Sequence, residues 1–182
     1  MRARAPIFLL AATLGIITAC SSPPPQRDQR PLGVVTASPG ECGLISSQAI
    51  SRATGLDDFY ASGTRTVSHF SHCIVSKSAD MQEPVRLSFE LHDPLQFSLE
   101  GLERRRVADK GTALPAEIGP GYSALLRRED GEPAGAYVSA WTANGTKMLS
   151  IRLYLGASGR DHRADVIEFA RQLRPVLLTS RS

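Results

Sequence analysis

Alternation of apolar and polar side chains is the strongest local signal in this chain. In "VRLSFELHD", Val85, Leu87, Phe89 and Leu91 share one side of an extended segment, while Arg86, Ser88, Glu90 and His92 share the other. That period of two predicts a strand with one buried and one wet face, because successive side chains leave a pleated backbone in opposite directions. "TKMLSIRLYLG" repeats the pattern, with Leu149, Ile151, Leu153 and Leu155 set against Ser150, Arg152 and Tyr154. "GAYVSAWTA" and "PGYSALLRRED" read as two further strands, and Asn144 with Gly145 supplies a hairpin tip that tolerates positive φ. A fifth strand, "TRTVSHFSHCIVS", is predicted from its β-branched and aromatic content.

Helical spacing replaces alternation in three places. In "SSQAISRATG", Ser46 or Ser47 caps a short helix with Ala49, Ile50 and Ala53 on its apolar face, and Gly55 ends it. Asp93 and Pro94 read as cap and first turn of a second helix, in which Leu95, Leu99 and Leu102 recur until Gly111 while Phe97 departs from the stripe. "DHRADVIEFARQLRPVLLTS" places Val166, Phe169, Ala170, Leu173, Val176 and Leu177 on one stripe behind an Asp161 cap. Pro175 is expected to bend or end that helix near Arg174, because it lacks a donor for the helical ladder. Short connections imply antiparallel pairing, and helices inserted between strands must cover a sheet face. The expected fold is therefore α+β: a single domain with a largely antiparallel sheet of about five strands and helices packed on it.

The first forty residues follow neither period. "MRAR" is basic and free of acid, and Ile7 to Ala19 are apolar or small, which is the charged start and short core of an export signal. A spanning helix needs about 20 such residues, and here the chain turns polar directly after Cys20. Ile17, Thr18, Ala19 and Cys20 resemble the bacterial lipobox, in which small residues admit the signal peptidase and the thiol takes a diacylglycerol. An ordinary cleaved signal with an incidental cysteine is the alternative. Lipid attachment at Cys20 implies acyl chains of the palmitate kind, each buried methylene contributing about 0.8 kcal/mol. Such an anchor would hold the protein on the outer side of the cell membrane without spanning it. The expected division is signal peptide 1–19, lipidated cysteine and Pro/Ser-rich tether 20–40, globular domain 41–178 and tail 179–182.

Charge alters the picture little. The formal charge of +3 falls to about +1 if the signal is removed, since Arg2 and Arg4 leave with it and no acid does. Nothing in that balance calls for nucleic acid as a partner. "ERRR" at Glu103 to Arg106 reads as a solvated helix face.

With Cys20 assigned to lipid, Cys42 and Cys73 remain, and an exported domain keeps few free thiols. Their pairing as a disulfide closes a loop of about thirty residues, worth about 3–4 kcal/mol in the chain-entropy account. A nucleophilic Cys73 is the sharper alternative, since "HFSHC" brings His69 and His72 near it in sequence. On a strand, however, His72 faces away from Cys73, and His69 lies about 13 Å along the backbone. His92 falls on a wet strand face and reads as a solvated imidazole. His162 with Asp161 or Asp165 is the remaining hydrolase candidate, but neither "GxSxG" nor "HExxH" occurs. "NGT" at Asn144 is also a glycosylation sequon, for which the turn is sufficient reason. Tyr137, Trp141 and Tyr154 on the last hairpin form either a contact surface or sheet packing. No catalytic, cofactor-binding or metal-ligating residue is predicted.

The lipobox, the Pro/Ser tether, the opening "CGLISSQAISRATG" and a second cysteine about thirty residues on resemble small envelope lipoproteins of actinobacteria, of the mycobacterial type, that carry the DUF3558 domain. Cys42, Leu44, Ile45, Ser46 and Gly55 match the family's opening, whereas Cys73 is followed by Ile74 where the family commonly has tryptophan. The resemblance implies an exported lipoprotein of unknown activity and carries over no catalytic residue. Related folds of the Mog1/PsbP type are mostly binding or assembly modules. The expected function is thus a non-enzymatic binding or accessory domain that contacts another envelope protein, a lipid or a small ligand. An envelope hydrolase and a purely structural or antigenic surface lipoprotein are the alternatives.

Overall fold

The computed structural model describes residues 27–64, 70–79 and 83–179. The predicted signal peptide, Cys20, the first part of the tether, His69 and residues 180–182 of the tail lie outside the described residues. The elements in chain order are β1 (Thr36–Glu41), α1 (Ser47–Thr54), β2 (Tyr60–Gly63), β3 (His72–Ser76), β4 (Leu87–His92), α2 (Leu99–Ala108), β5 (Thr112–Ala113), β6 (Gly121–Arg127), β7 (Pro133–Trp141), β8 (Met148–Tyr154) and α3 (His162–Leu177).

Among the described residues seven strands form one sheet in the order β2-β3-β4-β8-β7-β6-β5, and every neighbouring pair is antiparallel. With three helices, this is the expected α+β domain, but with seven strands rather than five. The two additions, β2 and β5, are four and two residues long and stand at the sheet edges. Elements that short are set by pairing with a neighbour, and they show no period of their own.

The inner sheet face carries the main core. Leu87 and Phe89 of β4, Ala136, Val138 and Ala140 of β7, and Leu149, Ile151 and Leu153 of β8 are all fully buried there. Helix α3 lays Val166, Phe169, Ala170, Leu173 and Leu177 on this face, and Phe169 meets Phe89 edge-on at 5.2 Å between ring centroids. Helix α1 adds Ala49, Ile50 and Ala53; its Ser46 hydroxyl accepts from the Ala49 amide, and Gly55 closes it in the left-handed region. Pro175 does not end α3, which continues to Leu177 and closes with the Leu178 amide donating to the Arg174 carbonyl at 2.8 Å. The Asp161 carboxylate caps it by accepting from the amides of Arg163 and Ala164.

Two expectations about the connections are corrected. Ser98, and not Asp93, caps the second helix, so α2 begins at Leu99 and buries only Leu102. Between β7 and β8 the turn is longer than a two-residue hairpin: the Gly145 amide donates to the Thr142 carbonyl, and Gly145 alone of the Asn144–Gly145 pair takes positive φ.

The tether boundary also moves. Residues 27–40 were expected to stand free of the domain, yet Leu32 and Val35 are buried in the main core. This strap is held by its backbone: Asp28 donates its amide to Gly159, Val35 donates to the Gln172 side-chain oxygen at 2.8 Å, and Gln172 donates back to Gly33 at 2.9 Å. Among the described residues the packed structure thus reaches back to Asp28, ahead of the expected boundary at 41. Two apolar residues suffice because α3 supplies the polar partners that the strap's backbone would otherwise seek in water.

The disulfide between Cys42 and Cys73 is formed, with 5.8 Å between the Cα atoms. It joins the loop before α1 to β3, and both cysteines are buried in the core. No helix among the described residues is long and apolar enough to cross a membrane.

Candidate functional site

The outer sheet face differs from the inner one, and strand register shows how. Glu90, Ser150, Ser139 and Tyr122 lie directly opposite one another on β4, β8, β7 and β6, forming one row across the sheet. On one side of it runs the row Ser88, Arg152, Tyr137 and Ala124, and on the other His92, Met148 and Trp141. Small hydroxyl side chains thus occupy the middle of the central row while larger ones stand at its ends. A depression follows from the side-chain volumes alone.

Helix α2 roofs one end of this depression. Leu102 packs into a small second core with Tyr122, Ala124, Trp141 and Met148, against which Tyr137 and Leu95 rest. Beside that core lies a groove of about 390 Å³, lined by residues of β4, β6, β7, β8 and α2, with Phe97 contributed by the loop before α2.

The groove's polar groups divide into those already engaged and those that are not. Asp109 is engaged: its carboxylate accepts from the Tyr137 hydroxyl and, at 3.3 Å, from the Tyr122 hydroxyl. Burial and then the bond to Asp109 push the Tyr137 phenol well above its usual range, and burial raises Tyr122 as well. These tyrosines hold their protons and serve to fix the wall of the groove. Their rings meet edge-on at 5.7 Å, and Tyr122 meets Trp141 at 6.1 Å. Glu90 lies 3.7 Å from His92.

Four polar side chains of the groove are held by no hydrogen bond or ion pair among the described residues. Ser139 and Ser150 are 7% and 9% exposed, and neither hydroxyl makes a hydrogen bond. Arg105 and Arg152 have no carboxylate partner; each guanidinium instead lies over an aromatic ring, Phe97 at 5.7 Å and Tyr137 at 5.8 Å. The predicted solvated face "ERRR" is largely exposed, as expected, and one of its arginines differs from the others in its neighbours. Arg104 pairs with Glu100 and Arg106 with Glu103, as on an ordinary wet helix, but Arg105 turns to the groove.

A second cavity, of about 580 Å³, lies where the strap crosses α3. Most of its charges pair with one another: Asp28 with Arg30 and Arg160, Arg160 with Asp165, and Arg171 with Glu168. It reads as the seam that fastens the strap.

The other sequence-derived candidates are not brought together. Asp165 is bound to Arg160 through two hydrogen bonds of 2.9 and 2.6 Å, and Asp161 caps α3. The His162 ring meets the Ala157 carbonyl at 3.0 Å, so neither aspartate orients it. His72 bonds the Ser71 hydroxyl through Nδ1, on the wet side of β3, while Cys73 is occupied in the disulfide. Trp141 is buried and Tyr137 half-buried, which makes them sheet packing and groove wall respectively. Ser139, Ser150, Arg105 and Asp109 were missed. The alternation of β8 did place Ser150 and Arg152 on the outer face, but nothing local showed that α2 would turn that face into a groove.

Comparison with known proteins identifies no relative: no family model matches the chain, and no match arises among curated proteins or solved structures.

Proposed function

We propose that this protein is an exported lipoprotein of the DUF3558 kind, anchored through Cys20, whose domain binds a ligand in the groove beneath α2. The observation that carries the binding reading is the floor of that groove. Ser139 and Ser150 open onto it together with the Arg105 and Arg152 guanidiniums, and none of these four side chains is held by a carboxylate or a hydrogen bond among the described residues, so all four are free to meet a ligand. The wall around them is fixed in advance by the Asp109, Tyr122 and Tyr137 contacts, so little ordering accompanies binding. The basic start, short apolar core and lipobox support the anchor and the extracytoplasmic location.

Native mass spectrometry of the chain extracted gently from envelopes tests the binding reading. A co-purifying small molecule or lipid is expected with the natural groove and lost in Ser139→Leu, whose side chain fills the floor. Equal ligand loading of the two proteins, or sustained turnover of an envelope substrate, would overturn it. The anchor is tested separately by Cys20→Ala, which should abolish acylation and membrane retention; unchanged partitioning would refute the anchor alone.

A further inference from the structure

The uncommitted groups of the groove share one property: all of them donate. Arg105 and Arg152 present guanidinium forks with no acid to receive them, and Ser139 and Ser150 add hydroxyls from the sheet to the same groove. Two carboxylates share the lining, each beside a neighbour of its own. Asp109 is engaged by two tyrosine hydroxyls, and Glu90 stands next to His92 on the β4 side. Neighbouring arginines on α2 show that this is not the helix's general habit, since Arg104 and Arg106 each hold a glutamate.

From this donor set we infer that the groove binds the phosphate group of a small phosphate ester. Resting on the reading of the groove as a binding site, the inference names the chemistry of its ligand. Two planar forks match the paired oxygens of a phosphate, and the stacking of each fork on an aromatic ring limits the rotamers lost on binding. A lone carboxylate has only two oxygens and would leave part of the set unused, whereas a phosphate monoester offers three. The organic part of the ester takes the rest of the groove, whose lining includes Leu126 and Met148, and a volume of about 390 Å³ accommodates a few heavy atoms beyond the phosphate. The same chemistry is presented by a free sugar or glycerol phosphate and by a phospholipid headgroup.

The test is isothermal titration of the full chain in non-ionic detergent with four probes: inorganic phosphate, glycerol 3-phosphate, dihexanoyl phosphatidylglycerol and succinate. Saturable binding of a phosphate probe is expected, weakened about ten-fold or more by Arg105→Gln and by Arg152→Gln, with partial recovery in Arg152→Lys. Arg104→Gln, which breaks only a surface pair, should leave binding unchanged. Both substituted arginines are exposed, so an unchanged melting midpoint will confirm that the fold is intact. Binding of glycerol 3-phosphate assigns a free ester, and binding of the short-chain lipid alone assigns a headgroup; either supports the inference. Binding of succinate alone overturns the phosphate assignment while leaving the groove a binding site. No binding of any probe, or phosphate binding that survives both arginine substitutions, overturns the inference outright.

Discussion

Substitution of Asp165 is the sharpest test of how the strap is fastened. The Asp165 carboxylate receives Nε and Nη2 of Arg160, and both side chains are only 5% exposed. In Asp165→Ala the guanidinium loses both bonds and stays out of water. Removing one partner of such a pair typically costs about 3–5 kcal/mol, because the desolvated charge remains. Arg160 keeps a second carboxylate, Asp28 at 3.3 Å, and donates to the Arg30 carbonyl at 2.9 Å, so the lower end, about 3 kcal/mol, is expected. With a urea slope of about 2 kcal/mol/M, the unfolding midpoint should fall by about 1.5 M. Removing the charge as well, in Arg160→Met with Asp165→Ala, should restore much of the loss, and a double-mutant cycle would report coupling above about 1 kcal/mol. Limited proteolysis between Arg27 and Val35 should quicken in the single mutant, because the strap hangs on Arg160. A single-mutant cost below about 1 kcal/mol, or strict additivity of the two changes, would refute the argument that a desolvated pair fastens the strap.

Three further outcomes follow from the same reasoning. Because the folded-state pKa values of Tyr122 and Tyr137 are raised, their stabilising effect is complete below the ordinary phenol value of about 10 and is lost as pH rises through the folded values. Urea titrations from pH 8 to 11.5 should therefore show stability falling above about pH 10, and falling less in the Tyr122→Phe, Tyr137→Phe double variant; equal falls would refute the assignment. Replacing Cys42 and Cys73 by serine should cost about 3 kcal/mol, read as a lowered urea midpoint, with the reduced natural protein behaving alike. Gly135 has φ +152 and a Cβ there would come within 2.0 Å of the Leu153 carbonyl oxygen, so Gly135→Ala should destabilise by about 3 kcal/mol or more in thermal melts.

How much of this was legible in the sequence depends on whether a residue's role is set locally. The alternation of Leu87 and Phe89, and of Leu149, Ile151 and Leu153, reported the buried face correctly, because one strand residue in two must point inward whatever the partner strand is. The stripe from Val166 to Leu177 was equally readable, and only Val176 proved exposed. Elements too short to show a period, β2 and β5, were invisible. The strap reads otherwise for a related reason: its composition is that of a tether, and it is held down by Gln172, 137 residues beyond Val35, and by Arg160, 130 residues beyond Arg30. In α2, Ser98 overrode Asp93 as cap, since a cap is decided by which side chain meets the free amides.

By itself the sequence determined the class of fold, the buried face of each long strand, the helical stripes of α1 and α3 and the pairing of two cysteines. Each depends on periodicity or on counting. The tertiary structure decided that the strap packs on α3, which arginine of "ERRR" lacks an acid, and how two unremarkable serines came to sit opposite each other at the floor of a groove. Those facts depend on strand register and on where a helix crosses a sheet, and register is a relation between segments that no single segment contains.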